Sequence, residues 1–412
     1  MLPMRGRSVG SFSSRPWSAM GDIYISLYPF TIGLMFFTPL DLSFSLWFFH
    51  LLYMLQFAFA DSLGIRYVYQ YEQSIGAWIA FGLISFWIGR SYFWQMIRKI
   101  MGFASNIDDS SEPVKYRTAV LGILLGLLLL ALFCAQMGMS FWGLILYPLF
   151  YFPVVIGIAR SRAEVGPPLH NVIYTDPGRT LVTMLGTRRI GNSTLSTMAL
   201  LYPFNRCYRA HPLPSQLEGL RIAERSGIDS RKLIIGMIIA IVVGTLITFW
   251  VYLHVLYQMG ATNKARGWLV YMGWETYSRL QSWLTNPKSP NYREMSGISG
   301  GFVFTIFLMI MKIRFLWWPF HPAGYVLTAS GSLAILWFPA FIIWFIKSTV
   351  LRFGGAKRFS QVAPFFLGLI LFGRLHSWMS LEYNWHYFQN AYLHSVALAI
   401  CLLGFCRLWA KF

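Results

Sequence analysis

Thr118-Ala119-Val120-Leu121-Gly122-Ile123-Leu124-Leu125-Gly126-Leu127-Leu128-Leu129-Leu130-Ala131-Leu132-Phe133-Cys134-Ala135 contains no charge and almost no polar atom. At about 1.5 Å per residue, a helix over 118–138 reaches across the roughly 30 Å hydrocarbon layer of a bilayer. A soluble domain would have to bury such a helix on every side. The surrounding chain argues against that. Of 412 residues 56% are hydrophobic and only 12% charged, where soluble domains carry about 25% charge. Aromatics make up 18%, including 17 Trp, as expected of a chain that meets the membrane–water interface many times.

Outward from that run, further apolar stretches predict spans over 23–40, 43–60, 75–97, 140–159, 232–258, 301–318, 324–346, 361–380 and 391–409. The expected fold is an all-α, polytopic bundle of about ten transmembrane helices, with some helices broken or re-entrant. Its organisation reads as a polar N-terminal segment (1–22), a first membrane bundle (23–159), a basic loop (160–231) and a second bundle (232–412). Residues 1–20 hold Arg5, Arg7 and Arg15 without a continuous apolar core, so the first crossing is expected to act as the insertion signal.

The net charge is +19. Its Lys and Arg lie between apolar runs, which suits loops beside anionic lipid and excludes nucleic acid as the expected partner, since no recognition motif accompanies the charge. The basic loop is expected to be cytoplasmic. One conflict follows. If 324–346 is a plain crossing, Lys347, Arg352, Lys357 and Arg358 fall on the wrong side of the membrane, so one span must be re-entrant or the count off by one.

Within the loop, Ser215 and Glu218 form a capping-box pattern, Gly227 suits a helix end, and Leu217, Leu220 and Ala223 share a face. This predicts an amphipathic helix over 215–226 lying at the interface. Residues 180–186 and 193–204 are apolar but too short to span. They are either a hairpin dipping into the bundle or an ordinary loop. The stretch 260–300 reads as a polar, aromatic loop at the opposite interface.

Ionisable or polar groups beside spans are the candidate site. Asp41, with Ser43 and Ser45, follows Pro39, where a broken helix would free backbone groups for an ion or a substrate amine. Arg162 and Glu164 are read as a gate pair before Gly166-Pro167-Pro168, with His170 positioned for substrate or a proton. Glu382 and His386, four apart, share a helix face and are read as proton-coupling candidates. No catalytic triad elbow, Walker A, dinucleotide fingerprint or HExxH pattern is present, and there is no CxxC among the four cysteines, so neither a cofactor nor a metal is expected.

Several strings carry a resemblance: Tyr28-Pro29-Phe30-Thr31-Ile32-Gly33 through Pro39–Ser45, Arg162-Ala163-Glu164-Val165-Gly166-Pro167-Pro168-Leu169-His170, His211-Pro212 through Gln216-Leu217-Glu218 with Ala223-Glu224-Arg225, and Phe315-Leu316-Trp317-Trp318-Pro319-Phe320-His321-Pro322. Together they resemble an uncharacterised family of bacterial multi-spanning membrane proteins often labelled peptide transporters, distantly like oligopeptide transporters. The resemblance implies a multi-pass protein of the bacterial inner membrane, and a secondary transporter of peptides or other small polar solutes rather than an enzyme. It also implies that longer members carry further spans, so a partner subunit or oligomer would complete a path. A structural subunit of a membrane complex, and an enzyme acting on lipid-linked substrates, are the alternative readings.

Overall fold

The computed structural model describes residues 7–8, 12–65, 67–104, 106–110, 112–166, 172–173, 175–208, 211–260 and 267–383, with side chains omitted at 7–8, 259, 267–269 and 372–383. His170 and His386 lie outside the described residues, as does the side chain of Glu382. So does the expected span 391–409.

The protein is all-α. Fourteen helices run among the described residues, with one two-residue antiparallel pair, β1 (Arg7–Ser8) and β2 (Tyr24–Ile25). The helices are α1 (Pro29–Phe36), α2 (Leu40–Ser62), α3 (Gln70–Ile100), α4 (Tyr116–Gln136), α5 (Phe141–Val165), α6 (Pro177–Leu185), α7 (Thr187–Ile190), α8 (Asn192–Asn205), α9 (Pro212–Ser226), α10 (Ser230–Met259), α11 (Gly267–Thr285), α12 (Tyr292–Arg314), α13 (Pro322–Val326) and α14 (Leu333–Tyr383). Six of them, α2, α4, α5, α10, α12 and α14, are long and apolar enough to cross a membrane.

α3 is the spine. It lies between α5 and α12, all three running parallel, at contact distances that only glycine permits. A Cβ on Gly76 would sit 1.8 Å from the Ile298 carbonyl oxygen, one on Gly301 2.0 Å from that of Gln73, and one on Gly82 1.8 Å from that of Pro153. Small residues let helices meet backbone to backbone, which is how helices associate when lipid competes for every apolar side chain. α1 and α2 pack on α14, stacking Phe36 on Phe359 and Phe366 at 4.7 and 3.9 Å between ring centres. In contrast, nothing in the apolar stretch of α10 is buried, and almost nothing in that of α4. These two helices flank the bundle.

α14 is two legs. Gly355 has φ +62° and ψ −168°, and this non-helical residue reverses the chain. The proof is a contact. Lys347 Nζ lies 5.2 Å from the Phe359 ring, whereas twelve residues of straight helix would separate them by about 18 Å.

The two ends of the bundle separate by charge. At the basic end α2 begins and α5 and α12 finish. There Lys312 pairs with Asp41, and Arg160 reaches Glu164 and Ser85. The first leg of α14 brings Lys347 to the same end, onto the carbonyls of Phe36 and Thr38. At the far end lie the starts of α12 and α6–α8's turn: Thr183 bonds Glu294, and Thr187 meets Lys288. In the loop before α4, Lys99 holds the Asp109 carboxyl below the usual range, and the hydroxyl and amide of Ser110 do the same for Asp108.

Three expected elements differ. The span 23–40 is not a crossing helix. Pro39 separates α1 from α2, and α1, eight residues long, covers only about 12 Å. The span 324–346 is re-entrant. From the basic end the chain enters through α13, reaches Leu333, and returns as the first leg of α14, with Trp337 stacked on His50 of α2 and Lys347 back at the start of α2. That removes the charge conflict, because Lys312 and Lys347 stand at one end. The loop expected over 260–300 contains α11.

The segments 180–186 and 193–204 are the buried helices α6 and α8, not an ordinary loop. Arg179 of α6 pairs with Glu72 at 2.6 Å, Asp176 caps α6 and faces Arg279, and Arg206 after α8 pairs with Glu275 at 2.6 Å. Before α6 and after α8 the chain pairs with itself, Ile173 bridging Cys207. These are short helices, neither long enough to span, that pack against α3, α11 and α12.

The interfacial helix begins earlier than the capping pattern indicates. α9 starts at Pro212, and His211 is its N-cap. Glu218 does not reach back to a cap, because Arg162 holds it. The end at Gly227, φ +68°, is as expected.

Candidate functional site

α2 and α12 meet through Phe49 and Phe304, and both line a cleft of about 490 Å³. Such a volume is in the usual range for small-ligand sites, about 300–1,000 Å³. Gln56 and Leu52 come from α2, Ser296, Gly297, Gly300 and Phe304 from α12, Tyr325 from α13, and Tyr69 and Gln73 from the head of α3. Tyr69 is the one non-glycine residue with positive φ, +49°, among the described residues. That left-handed turn at its N-cap leads the chain into α3. A smaller recess, sharing Leu52, Gln56, Gln73 and Tyr325, continues inward to Tyr53, Gln70, Ser74 and Thr328.

The depth of the cleft follows from α12. Gln73 lies against Gly301, and Lys312 is eleven residues further on, about 17 Å. This level of the cleft therefore sits about 17 Å along α12 from the basic end.

Two layers close the space below it. The first is aromatic: Phe49, Phe304 and Tyr325 meet with ring centres 4.7–6.3 Å apart, and Phe320 packs on Phe49 at 5.6 Å. The second is ionic. Asp41 pairs with Lys312, Arg160 with Glu164 at 2.9 Å, Glu164 faces His321 at 3.9 Å, and Arg162 grips Glu218 through two bonds of 2.6 and 2.8 Å.

All the described sequence candidates fall in this ionic layer, none in the cleft. The Ser43 hydroxyl bonds Thr38 and the Pro39 carbonyl. The Ser45 hydroxyl donates to the Asp41 carbonyl and accepts the His321 amide. Both serine hydroxyls are thus engaged at the break between α1 and α2. The expected Arg162–Glu164 pair does not form. Residues two apart point to different sides of a helix, so each takes another partner.

Sequence reasoning missed Gln56, Gln70, Gln73 and Tyr69. All four are neutral, and a reading guided by charge passes over them. A usable signal existed in Tyr69-Gln70-Tyr71-Glu72-Gln73-Ser74, a polar aromatic run at the head of an apolar span, and in Gln56 inside the span before it.

His211-Pro212 and His321-Pro322 form the same device: each imidazole Nδ1 accepts the amide two residues on and caps a helix. Burial lowers the pKa of His211, so the ring is neutral at pH 7 and its Nδ1 is free to accept. The folded state then binds fewer protons than the unfolded one below the ordinary histidine pKa of about 6.5. The stability this contributes is complete above that value and lost as pH falls. The melting temperature of the wild type should drop more steeply below pH 6.5 than that of His211→Asn, which keeps a capping acceptor that does not titrate. Parallel curves would refute the assignment.

No curated protein and no solved structure matches the chain. One family model matches residues 2–383, and its description is a family of unknown function (DUF6785).

Proposed function

The chain belongs to this family of unknown function, and since membership assigns no chemistry, we propose from the geometry that it is a solute permease of the cell membrane working by alternating access. One observation carries the reading: a ligand-sized cleft between α2, α3, α12 and α13 is separated from the basic end by stacked aromatic and ionic layers. Secondary transporters place their sites near the midplane, among broken helices. The break before α14 borders the adjoining recess through Thr328, and α6 lies beside the cleft through Arg179–Glu72 and Thr183–Glu294. The sequence resemblance to proteins labelled peptide transporters supports transport as the class of activity, with peptides or other small polar solutes as cargo.

In this reading the basic end is cytoplasmic, and anionic lipid surrounds it. In the same reading the ten apolar segments make seven full crossings (α2, α4, α5, α10, α12, the second leg of α14 and the more polar α3), two partial entries at 23–40 and 324–346, and one segment outside the described residues. Asp41 serves the closing layer rather than a coupling ion, because Lys312 and the Leu42 amide already occupy its carboxylate.

The test uses Ser296→Cys in a chain whose four native cysteines are replaced, reconstituted in sealed vesicles. A membrane-impermeant maleimide should label it from the far-end side only, and a transported solute should slow that labelling. Equal labelling from both sides, or none, would overturn alternating access at this cleft.

A further inference from the structure

Three charged residues stand in the first turns of the two helices that meet at Gly297 beside the cleft: Glu72 on α3, and Arg293 and Glu294 on α12. Both carboxylates are turned to α6. Glu72 pairs with Arg179 at 2.6 Å, and Glu294 accepts the Thr183 hydroxyl at 2.8 Å. Arg293 is exposed, and its guanidinium has no hydrogen bond or ion pair among the described residues. The acids of these helix heads are thus held on one side, and the base is left on another.

The register of α12 gives that base a place. The helix lines the cleft with Ser296, Gly297, Gly300 and Phe304. At about 100° per residue, Gly297, Gly300 and Phe304 lie within about 40° of Arg293 around the helix axis. Arg293 therefore heads the stripe that faces the cleft, about 6 Å beyond Gly297. Side chains lean toward the start of their helix, which sets the guanidinium at the rim. Below it the stripe is bare. Gly297 is needed for contact with α3, since a Cβ there would lie 3.0 Å from the Tyr69 Cβ, but a Cβ on Gly300 would meet nothing within 4 Å. The stripe ends on rings, Phe304 with Tyr325 at 4.7 Å between centres, and Leu52 of α2 lines the same space. Along one face of α12 run, in order, a cation, open backbone and an aromatic floor. A guanidinium fork matches a carboxylate, and cleft walls of low dielectric focus its field.

Resting on the permease reading above, we propose that the solute is an organic acid with an apolar or aromatic body. Arg293 receives its carboxylate at the rim. Its body lies over Gly300 and reaches Phe304, Tyr325 and Leu52. The same arrangement repels an amine, so the inference narrows the substrate class within the broader reading and makes Arg293 the residue that selects for charge.

The experiment measures the melting temperature of the purified full chain in lipid nanodiscs against rising concentrations of phenylacetate, phenethyl alcohol, phenethylamine and acetate. Phenylacetate should stabilise the chain with an apparent affinity at least tenfold tighter than that of the other three. Arg293→Gln should weaken phenylacetate at least tenfold, and Arg293→Glu should reverse the order, so that phenethylamine binds tighter than phenylacetate. Arg293 is exposed, so both variants should fold as the parent does. Gly300→Leu, which adds a side chain to open space, should fill the cleft and weaken phenylacetate at least tenfold, which separates binding in the cleft from binding elsewhere on the surface. Binding of the alcohol, the amine or acetate as tight as that of phenylacetate overturns the organic-acid assignment. So does undiminished phenylacetate binding in Arg293→Gln or Gly300→Leu, an unreversed order in Arg293→Glu, or no stabilisation by any of the four. One-sided labelling of Ser296→Cys in vesicles would leave the permease reading standing in each of these cases, whereas equal labelling from both sides would overturn both.

Discussion

Gly82→Ala will unfold much of the protein, although alanine is normally the better helix residue. In an exposed helix interior the change from glycine to alanine stabilises by up to about 1 kcal/mol. At Gly82 the added methyl would lie 1.8 Å from the Pro153 carbonyl oxygen and 2.5 Å from its carbon. Both are backbone atoms of a rigid helix and cannot swing aside, so α3 and α5 must separate along their whole contact. Overpacking of this kind costs about 1–3 kcal/mol, and loss of the neighbouring Trp78–Gly157 approach adds to it. Gly76→Ala, against Ile298, should behave alike. Gly126→Ala in α4 is the control, with nothing within 4 Å. The measurement is the monodisperse yield and melting temperature in one detergent: reduced for Gly76→Ala and Gly82→Ala, unchanged or raised for Gly126→Ala. If all three behave like the control, the helix contacts described here are wrong.

Asp41→Asn should open the closed end. Asp41 is the carboxylate that Lys312 shares, and Lys347 lies on the carbonyls of Phe36 and Thr38 just before it. Removing one partner of a buried pair costs about 3–5 kcal/mol. The Asp41 and Lys312 side chains are 32% and 31% exposed, so solvent screening brings the expected loss to about 1–2 kcal/mol. The functional effect should exceed the loss of stability. Two ammonium groups without their carboxylate repel each other across the break between α1 and α2, and the ionic layer loosens where α2, α12 and the 315–321 loop meet. Ser296→Cys, silent to maleimide from the basic side in the parent, should become at least threefold more reactive from that side in Asp41→Asn. Replacing Lys312 by Met in the same chain should restore part of the protection. Unchanged labelling in Asp41→Asn would show that the layer is not the barrier.

Much of the architecture was legible because hydrophobicity over twenty residues is a strong signal. The runs behind α4 and α10 needed nothing but length, and the positions of α2, α5 and α12 followed to within a turn or two, except where α12 begins earlier than its apolar core. The broken pieces were harder to read. A re-entrant stretch such as α13 with the first leg of α14 is as apolar as a true crossing, and only the stranded Lys347 betrayed it. The reversal at Gly355 lies in Arg352-Phe353-Gly354-Gly355-Ala356-Lys357, a signal that a charge-and-hydropathy reading treats as a mere gap. The candidate residues read from the sequence lie away from the cleft for a different reason. Charges near spans drew attention to Asp41 and Glu164, but charges in a bundle pair with one another first, and here they form the closing layer. The polar groups that line the cleft include glutamines, which no hydropathy argument separates from the structural polar residues of a helix such as Ser43.

The short buried helices have a consequence for biogenesis. α4 and α10 can leave the translocon alone, since their surfaces ask nothing of the rest of the chain. α6 and α8 cannot, because their severed ends would meet hydrocarbon with backbone groups unmet. Their receptors, Glu275 and Arg279 of α11 and Glu294 of α12, are synthesised later than they are. The nascent chain must therefore keep residues 172–208 out of the lipid until about a hundred further residues have emerged, and topology is set well before the interior is assembled.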